Sequence, residues 1–555
     1  MAEFLRLKRS NCKNCYKCIR NCPVKSIRFS AGQANVVENE CILCGRCFAA
    51  CPQNAKQVQS DVEKVKVLTM SEQVYVSLAP SFAACYPGAG IEAMEEALKK
   101  LGFAGVEETA IGATMVAREY ERILKEEAPN VLISSCCTSV NLLVRKHYPE
   151  VLFALAPVLS PMEAHCRDLK NRYPGAKTVF IGPCIAKKQE ASERDLVDAV
   201  LTFDELNEML LAAGVQIEGK EDVRKAGKAR LFPTTGGVLA TMEKLPEYTY
   251  ISVDGVERCA EVLEEIKAGA LHKCFIEMSS CPGSCSGGPV LGKHHGTPAQ
   301  NYARVLRYAG EDRFEVEQPA KETFAKPMEP IAQEAVMPSQ AEIEAMLRKM
   351  GKKGPEDELN CGSCGYNSCR EKAAAVIQGK AEQSMCLPYM MAKEEGFSEA
   401  VVNNSPNAIL VLNDDLEVQR INPVACKLLH VRSEKDVLGE DVIRLMDPDV
   451  FREVRDRGKR VVDQRTYMAE YGCYVDRTIL YNKEYHLFIC IMKDVSDEMS
   501  QQERKLESRM QAFDIANDVA RRQLKIVQDI ASLLGETAAD TLIALEHLKE
   551  TISDD

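Results

Sequence analysis

The chain has 555 residues, 24 of them cysteine, and a net charge of −12 at pH 7. Its length predicts three to five domains, its cysteines are too sparse for a small disulfide-stapled scaffold, and its acidic balance opposes binding to nucleic acid. The start shows no secretory signal and no window approaches 18 consecutive apolar residues, so we expect a cytoplasmic protein without a membrane span, whose reduced thiolates bind metal.

Residues 1–60 contain two cysteine runs with the spacing CxxCxxCxxxCP. At this spacing three cysteines wrap one [4Fe–4S] cube and the fourth reaches across to the other cube. Zinc is the alternative, although paired runs of this kind almost never bind zinc. The domain resembles a bacterial two-cluster ferredoxin. The predicted ligand sets are Cys12, Cys15 and Cys18 with Cys51, and Cys41, Cys44 and Cys47 with Cys22.

Residues 70–312 alternate apolar, strand-like runs with periodic, helix-like segments. This alternation predicts an α/β core with a parallel sheet. Ligands of such sheets lie beyond the carboxyl ends of the strands, where small residues and cysteines are found here. The predicted strands cover residues 74–80, 131–135, 178–182 and 230–237.

Three cysteine motifs lie in this domain, at residues 134–137, 182–190 and 277–289. One cysteine from each of the first two and a CxxxC pair from the third would supply four thiolates, enough for a [4Fe–4S] cube or a zinc ion. In order and spacing the motifs resemble the three signature loops of the catalytic domain of [FeFe]-hydrogenases. Residues 79–81, 148–150, 160–161 and 235–237 add supporting matches.

The resemblance implies that Cys137, Cys184, Cys281 and Cys285 hold a [4Fe–4S] cube. Through Cys285 the cube would join a diiron unit with CO, cyanide and a dithiolate bridge, completing an H-cluster. Lys187 would donate to a cyanide, and Cys136 would pass protons to the bridgehead amine; a buried structural Cys136 is the alternative. Further cofactor-binding positions implied by the family are Ala79, Pro80, Ser81, Gly182, Pro183, Phe232 and Ser279.

The departures from the family pattern are informative. Gly182 and Ser279 stand where typical members have methionines that flank the diiron site. Counting without gaps, the serine of the family's proton path is Ala156 here, the inner glutamate is Val116 and the outer one is Glu119. Glu119 is thus a candidate catalytic residue, with a solvated helix residue as the alternative. A path broken at two positions predicts slow proton transfer and modest turnover.

Residues 313–340 are rich in proline and alanine and are predicted to form a linker. In residues 341–395, a CxxC pair is followed by two more cysteines, and a helix of about four turns is expected to return the last one. The pattern resembles the small [4Fe–4S] domain of electron-transfer and corrinoid proteins, with zinc as the alternative. The predicted ligands are Cys361, Cys364, Cys369 and Cys386.

Residues 396–498 resemble a PAS domain of α+β type, which as a bare unit could serve only for dimerisation. Residues 499–555 are predicted to be helical, and apolar residues follow a 4-3-4-3 spacing from Leu506 to Leu534. This period is typical of a coiled coil, with Asn517 at an a position that favours parallel two-stranded pairing. A helix packed on its own chain is the alternative.

The sequence therefore predicts a multidomain α/β and α+β protein: a ferredoxin-like domain, an α/β [FeFe]-hydrogenase core, a small helical Fe–S module, a PAS domain and a coiled-coil helix. We expect a sensory-type [FeFe]-hydrogenase of low activity, with three accessory [4Fe–4S] clusters and an H-cluster. Its expected partners are H2 and protons, a redox protein such as ferredoxin, a second copy of the chain and a downstream kinase or phosphatase. The alternatives are a metabolic, ferredoxin-linked hydrogenase and a non-catalytic redox sensor or scaffold without the diiron unit.

Overall fold

The computed structural model describes residues 4–219, 227–294, 296–333, 337–458 and 460–552. Three residues of the predicted ferredoxin-like domain (1–3), three of the predicted linker (334–336) and the last three of the predicted C-terminal helix (553–555) lie outside the described residues. The chain divides into two compact units, residues 1–390 and 391–555, and each is described by itself. No helix within the described ranges combines the length and the apolar character needed to cross a bilayer.

The N-terminal domain is held together by two antiparallel strand pairs, Leu5–Leu7 with Lys56–Val58 and Ile27–Ser30 with Gln33–Val36. The second pair confirms the hairpin that the sequence of residues 27–39, between the cysteine runs, predicts. Each run also forms one short helix, Lys17–Arg20 in the first and Arg46–Ala49 in the second. The two runs therefore adopt the same local structure, as their repeated sequence predicts.

Two parallel sheets form the core of the central domain, which confirms the predicted α/β class but with two sheets in place of one. The larger has the strand order Gly105–Glu108, Val74–Leu78, Lys177–Gly182, Ala199–Thr202. The smaller has the order Thr249–Asp254, Cys274–Ser279, Val131–Ile133. The helices are Val62–Ser71, Phe82–Cys85, Ile91–Lys100, Ala110–Glu126, Thr138–His147, Pro161–Arg172, Ala186–Glu193, Phe203–Ala213, Gly237–Thr241, Val256–Lys267, Pro289–His294 and Pro298–Tyr308.

The strand predicted at residues 230–237 is wrong. The chain forms a 3₁₀ helix at Lys228–Leu231 and an α-helix at Gly237–Thr241. Arg230 is 1% exposed and donates from Nε to Glu108 at 2.8 Å, a buried ion pair that residues near in sequence do not reveal. Pro233 has no N–H for a strand ladder. A Cβ at Gly237 would lie 1.9 Å from the Leu231 carbonyl oxygen, so the turn between the helices is tight.

The segment predicted to be a linker packs along the central domain. Arg118 donates to the Val316 carbonyl at 3.0 Å, and the Leu159 N–H donates to the Phe324 carbonyl at 3.0 Å. Further along, the Ile331 N–H donates to the Arg145 carbonyl at 2.8 Å. The segment contains one short helix, Lys321–Phe324, and buries the Phe324 side chain. We call residues 316–331 the strap.

The third cysteine module follows the strap and consists of the helices Gln340–Lys349 and Cys369–Ile377 and the start of Leu387–Asn403. The helix expected to span about four turns between Cys369 and Cys386 has only nine residues. It is followed by Gly379, which has a φ of 67°, and a 3₁₀ turn at Gln383–Met385 then brings the chain to Cys386. The glycine permits this reversal because it adopts positive φ without a Cβ clash.

The unit 391–555 contains a five-stranded antiparallel sheet and two short helices, Pro423–Leu428 and Asp449–Arg457. Alternate residues of the central strands are buried, which fits a sheet with one face on the core. The sequence predicts strands at residues 408–414, 417–422, 474–482 and 484–495, and four strands lie there. The strand Val461–Met468 was missed because most of its side chains are exposed. The strand order is Val418–Ile421, Ala408–Asn413, Leu487–Asp494, Cys473–Asn482, Val461–Met468.

One helix of 57 residues, Ser496–Ile552, follows the sheet, which confirms the predicted helical C-terminal segment. The predicted seam residues are exposed in the single chain, for example Leu506 (58%), Leu524 (63%) and Val527 (61%). The alternative interpretation, a helix packed on its own chain, required these side chains to be buried, and they are exposed. The pairing of two such helices stays a prediction.

Candidate active site and cluster sites

Four cysteines from three loops line one cavity at the carboxyl ends of the parallel strands. Cys137 follows the strand Val131–Ile133, Cys184 follows Lys177–Gly182, and the Cys281–Cys285 pair follows Cys274–Ser279. The cavity is completed by Leu43, Cys44, Ser139, Pro183, Ile185, Ser279, Ser280, Ser284, Gly288 and Pro289. The strand ends thus bring together the four thiols that the sequence places far apart.

The chemistry of this donor set fits a cluster. Burial raises the pKa of Cys184 to about 11 and places the pKa of Cys281 well above its usual range, and the neighbouring thiols act in the same direction. Thiols packed this closely remain ionised only where a metal compensates their charge. Room is also provided, because a Cβ at Gly288 would lie 3.1 Å from the Cys285 carbonyl oxygen and 3.9 Å from the Cys281 sulfur. Four soft donors in one cavity suit a [4Fe–4S] cube.

Lys187 is buried beside the cavity in the first turn of the helix Ala186–Glu193. Its Nζ donates to the Cys136 carbonyl at 3.2 Å and forms an ion pair with Glu190. Burial lowers the pKa of Lys187, but the charge and hydrogen bond of Glu190, together with the charges of Cys184 and Glu163, raise it above its ordinary value. The side chain therefore stays an ammonium ion, and its charge favours the thiolate of Cys285.

Cys136 is hydrogen-bonded to a tyrosine that the sequence reasoning missed. The Tyr120 hydroxyl lies 3.2 Å from the Cys136 sulfur and 3.1 Å from Ser135 Oγ, and it accepts the Ser135 N–H at 2.9 Å. Ser135 Oγ in turn donates to the Val158 carbonyl at 2.9 Å. Burial raises the pKa of the Cys136 thiol to about 12, and the bond from Tyr120 opposes that rise. Tyr120 lies one helical turn after Val116, and that spacing was the available signal.

Glu119, the predicted outer carboxylate of a proton path, is not brought to Cys136. In the described part of the chain its carboxylate is hydrogen-bonded to Arg122, at 2.7 Å and 3.0 Å. It is only 4% exposed, which also differs from the solvated alternative. Val116 and Ala156 are buried among apolar side chains at the positions where the family's path has polar groups.

Glu277 is a second buried acid. It is the first residue of the third cysteine motif, and the sequence analysis assigns it no role. Its carboxylate accepts the N–H groups of Gly236 at 2.9 Å and Leu239 at 3.0 Å, at the start of the helix Gly237–Thr241. Burial raises the pKa of Glu277 to about 7 even though these bonds lower it. The negative charge of Glu277 contributes to the raised pKa of the Cys136 thiol. A glutamate inside an otherwise apolar strand was the signal.

Only some of the other predicted cofactor-binding residues line the cavity. Pro183 and Ser279 line it. Ser81 is buried, and its hydroxyl oxygen has no hydrogen-bond partner among the described residues, which leaves it available to a bound group. A Cβ at Gly182 would lie 2.6 Å from the Phe180 ring and 3.1 Å from Ala79 Cβ, so these two side chains leave no room for a larger residue without a shift.

Two further predicted positions, Pro80 and Phe232, are not among the residues that line the cavity. Pro80 follows the strand Val74–Leu78 and is buried. Phe232 is half-buried and packs against the small residues Ala110, Ala113 and Ala229.

The N-terminal cysteines gather in two groups. Cys47 is close enough to Cys44, Cys41 and Cys22 that their charges, after burial, raise its pKa well above the usual range. In the other group, burial and then the charges of Cys12 and Cys15 raise the pKa of Cys18, which reaches about 11. Cys44 of the first group also lines the cavity of Cys137, Cys184, Cys281 and Cys285, so that group and these four cysteines share a wall.

The four cysteines of the third module, Cys361, Cys364, Cys369 and Cys386, line one cavity with Lys372. This module docks on the N-terminal domain. Arg20 donates to the Ser363 carbonyl at 3.2 Å, Lys25 donates to the Gly365 carbonyl at 3.1 Å, and the Phe29 N–H donates to the Lys380 carbonyl at 2.7 Å. The N-terminal domain therefore contacts both the third module and the cavity of the four central cysteines.

Comparison with known families identifies four regions. Residues 64–289 match "Iron only hydrogenase large subunit, C-terminal domain", and residues 4–52 match "4Fe-4S dicluster domain". An Fe-S cluster family matches residues 357–388, and the PAS fold matches residues 396–495. The resemblances stated from the sequence are confirmed over these regions.

Similar characterised proteins are hydrogenases. The chain is 28% identical over 366 residues to the periplasmic [Fe] hydrogenase large subunit of Nitratidesulfovibrio vulgaris, covering 52% of this chain and 87% of that protein. It is 26% identical over 341 residues to the NADP-reducing hydrogenase subunit HndD of Solidesulfovibrio fructosivorans, covering 48% of this chain and 58% of that one. Iron hydrogenase 1 of Clostridium pasteurianum is 26% identical over 365 residues, covering 46% and 64%.

Solved structures are similar to separate parts of the chain. A variant of the [FeFe]-hydrogenase HydA1 from Chlamydomonas reinhardtii is 18% identical, covers 46% of this chain and 91% of its own, and has a TM-score of 0.37. The PAS domain of an HTR-like protein from Haloarcula marismortui is 22% identical, covers 19% and 96%, and has a TM-score of 0.16.

Proposed function

We propose that this chain, a hydrogenase-like protein whose residues 64–289 match the iron-only hydrogenase large-subunit domain and whose residues 396–495 match the PAS fold, oxidises H2 reversibly at low turnover and reports its redox state. The observation that carries the proposal is the convergence of Cys137, Cys184, Cys281 and Cys285 on one cavity, with Lys187 and Cys136 beside it. A zinc ion would use the four thiols, and Lys187 would then serve only its ion pair with Glu190.

The four cavity cysteines would hold a [4Fe–4S] cube, and Cys285 would join it to a diiron unit. That unit, when bound, supplies the centre at which H2 is split. Lys187 contributes a buried positive charge with three N–H donors, which suits an anionic cyanide ligand. The Ser81 hydroxyl, which has no hydrogen-bond partner among the described residues, offers another donor.

Cys136 would move protons to and from the site through its thiol. From the thiol a proton would pass to the Tyr120 hydroxyl, which is hydrogen-bonded to Cys136, and then to the Ser135 hydroxyl. The Ser135 hydroxyl donates to the Val158 carbonyl, which has no proton to pass on. Because a proton must leave this short chain through water, the arrangement supports slow turnover.

Electrons would pass from the catalytic cavity to the N-terminal domain. Cys44 lies in the wall of that cavity, which supports direct transfer between the central cube and the cluster held by Cys41, Cys44, Cys47 and Cys22. The contacts of Arg20 and Lys25 with the third module support transfer to a third accessory cluster. A ferredoxin-type protein is the proposed soluble redox partner.

The PAS domain and the helix Ser496–Ile552 would form the output. Exposed seam residues such as Leu524 support a parallel homodimer, since an unpaired apolar stripe of this length favours association. A population shift between two arrangements of the dimer requires only a few kcal/mol of difference between the redox states. A signalling protein such as a kinase or phosphatase is the proposed receiver.

The proposal is tested on the full chain after maturation with the hydrogenase assembly proteins. We expect infrared bands of CO and cyanide in the wild type and their loss in Cys285→Ala. Cys259→Ala is the matched control, because Cys259 is buried and its thiol donates to the Ser279 carbonyl at 3.5 Å, outside the predicted ligand set. A wild type without these bands would refute the hydrogenase assignment in favour of a scaffold.

The sensory part has its own measurement. Hydrogen exchange of the helix Ser496–Ile552 and the visible spectrum of the clusters are followed under H2 and under argon. We expect the clusters to be reduced by H2 at low turnover and exchange in the helix to change with them. Rapid turnover with identical exchange in both gases would favour the metabolic alternative.

A further inference from the structure

Four charged side chains are buried together next to the catalytic cavity. Lys187, Glu190, Glu163 and Lys326 are 8%, 1%, 1% and 5% exposed. Two are cationic and two are anionic, so the group is electrically balanced as a whole. Isolated buried charges are costly, and groups of this kind persist only when each member is paired.

The contacts show how the balance is arranged. Lys326 Nζ donates to Glu190 Oε1 at 2.8 Å and to Glu163 Oε2 at 2.8 Å. The other oxygen of Glu190 accepts from Thr138 at 3.0 Å and forms the ion pair with Lys187. Glu190 is therefore shared between two ammonium groups, one on each carboxylate oxygen.

We propose that Lys326, in the strap, is a positioning residue for Lys187. The inference rests on the proposed function, because Lys187 is assigned there to an anionic ligand of the diiron unit. Without Lys326, the first oxygen of Glu190 loses its cation, and Lys187 becomes the only ammonium left in the group. Lys187 would then be drawn onto both oxygens of Glu190 and away from the cavity.

The electrostatics of the group agree with this role. Although burial raises the pKa of Glu190, Lys187 and Lys326 together lower it far below its usual range, so Glu190 is anionic and attracts both lysines. Burial and the charge of Glu190 raise the pKa of Glu163, and Lys326 opposes that rise. Lys326 thus supplies the charge that Glu163 and Glu190 share.

The placement of Lys326 gives the strap a part in the site. Its backbone N–H donates to the Pro157 carbonyl at 2.9 Å, and the strap ends at the contact of Ile331 with Arg145. The helix Gln340–Lys349 of the third module begins nine positions after Ile331. The segment between two cluster-binding parts therefore holds the charge that sets the position of Lys187.

Infrared spectroscopy of the matured full chain tests the proposal, because cyanide bands respond to hydrogen bonds at the ligand. We expect shifted cyanide bands in Lys326→Met and bands closer to the wild type in Lys326→Arg, which keeps the charge. The matched control is Lys321→Met on the same strap, whose lysine is 53% exposed and pairs with Glu127 at the surface. Cyanide bands of Lys326→Met that superimpose on those of the wild type would overturn the proposal.

A second measurement does not require the diiron unit. In the unmatured protein, thermal unfolding of Lys326→Met, Lys187→Met and the double variant forms a cycle around Glu190. We expect the two losses to be strongly non-additive; additive losses would overturn the proposal. If Lys326→Met fails to fold, Lys326→Met combined with Glu163→Gln keeps one buried cation and one buried anion and replaces it in both experiments. Absence of cyanide bands in the wild type would count against the proposed function alone, since the cycle still decides the inference.

Discussion

Tyr120→Phe is the sharpest test of the proton side of the site. The substitution removes one hydroxyl group and leaves the ring, which packs 5.4 Å from the Phe275 ring, in place. Cys136 then loses its hydrogen bond with the hydroxyl at 3.2 Å, and the Ser135 N–H loses its acceptor at 2.9 Å. The thiol keeps its burial but loses the contact that lowers its pKa.

The size of the effect follows from the contacts. One neutral hydrogen bond contributes about 0.5–1.5 kcal/mol, and 1.36 kcal/mol corresponds to a tenfold change in rate. We therefore expect H2 oxidation to slow about 2- to 12-fold. A buried N–H without a partner costs about 1–3 kcal/mol, so the variant should also be less stable. Because the thiol pKa is already about 12, the pH profile between 5 and 9, roughly, should show no thiol titration in either protein.

Steady-state H2 oxidation with a dye acceptor measures the effect, and infrared bands verify that the active site is loaded equally. Tyr250→Phe is the matched control. Its hydroxyl also accepts a backbone N–H, from Leu245 at 2.8 Å, and its ring also packs on Phe275, at 6.0 Å. Equal rates in the two variants at equal loading would refute the assignment of Tyr120 to the proton path.

Three other predictions follow from buried or exposed groups. Arg230→Met leaves Glu108 buried without its cation, and we expect the free energy of unfolding to fall by about 3–5 kcal/mol. The control is Arg258→Met, because the Arg258 side chain is 63% exposed, and it should lose at most about 1 kcal/mol. Similar losses in the two variants would contradict the argument. Burial raises the pKa of Glu277 from 4.5 to about 7, so the folded state binds the proton more tightly and stability falls by up to about 3 kcal/mol as the pH rises through this interval. Glu277→Gln should remove that fall, and an unchanged pH dependence of the unfolding temperature would show that the carboxyl titrates normally. Leu524→Asp on the seam should raise the dimer dissociation constant by at least about 100-fold, since two buried leucines contribute about 3–6 kcal/mol; Ile526→Asp, off the seam, is the control in sedimentation of the full chain, and equal dissociation of both would argue against this pairing.

The sequence predicts best the elements whose apolar residues follow a local pattern that matches their burial. Apolar runs predicted three of the seven strands described in the central domain and four of the five in the C-terminal sheet, and the apolar 3.5-residue period predicted the long helix. The segment 230–237 failed because its apolar residues and glycines imitate a buried strand. Its real determinant is the pair of Arg230 with Glu108, 122 positions away.

In the site, too, residues of local motifs were predicted and residues with distant partners were not. Cysteine spacing was sufficient to select the thiols that line the central and third cavities, because the ligand pattern is local in each motif. Tyr120, Glu277 and Lys326 were not found, since each acts through a partner that only the folded chain supplies. Lys326 was the hardest to foresee, because proline and alanine around it suggest a free linker.

The docking of the third module on the N-terminal domain has a consequence for biosynthesis. The bond from Arg20 to Ser363 joins residues 343 positions apart. During synthesis the N-terminal domain must therefore wait, with that face open to solvent, until almost four hundred residues have been translated. Contacts of such long range form late and slowly. The face that bears Arg20, Lys25 and Phe29 therefore stays open for most of translation, and the arrival of the third module covers it.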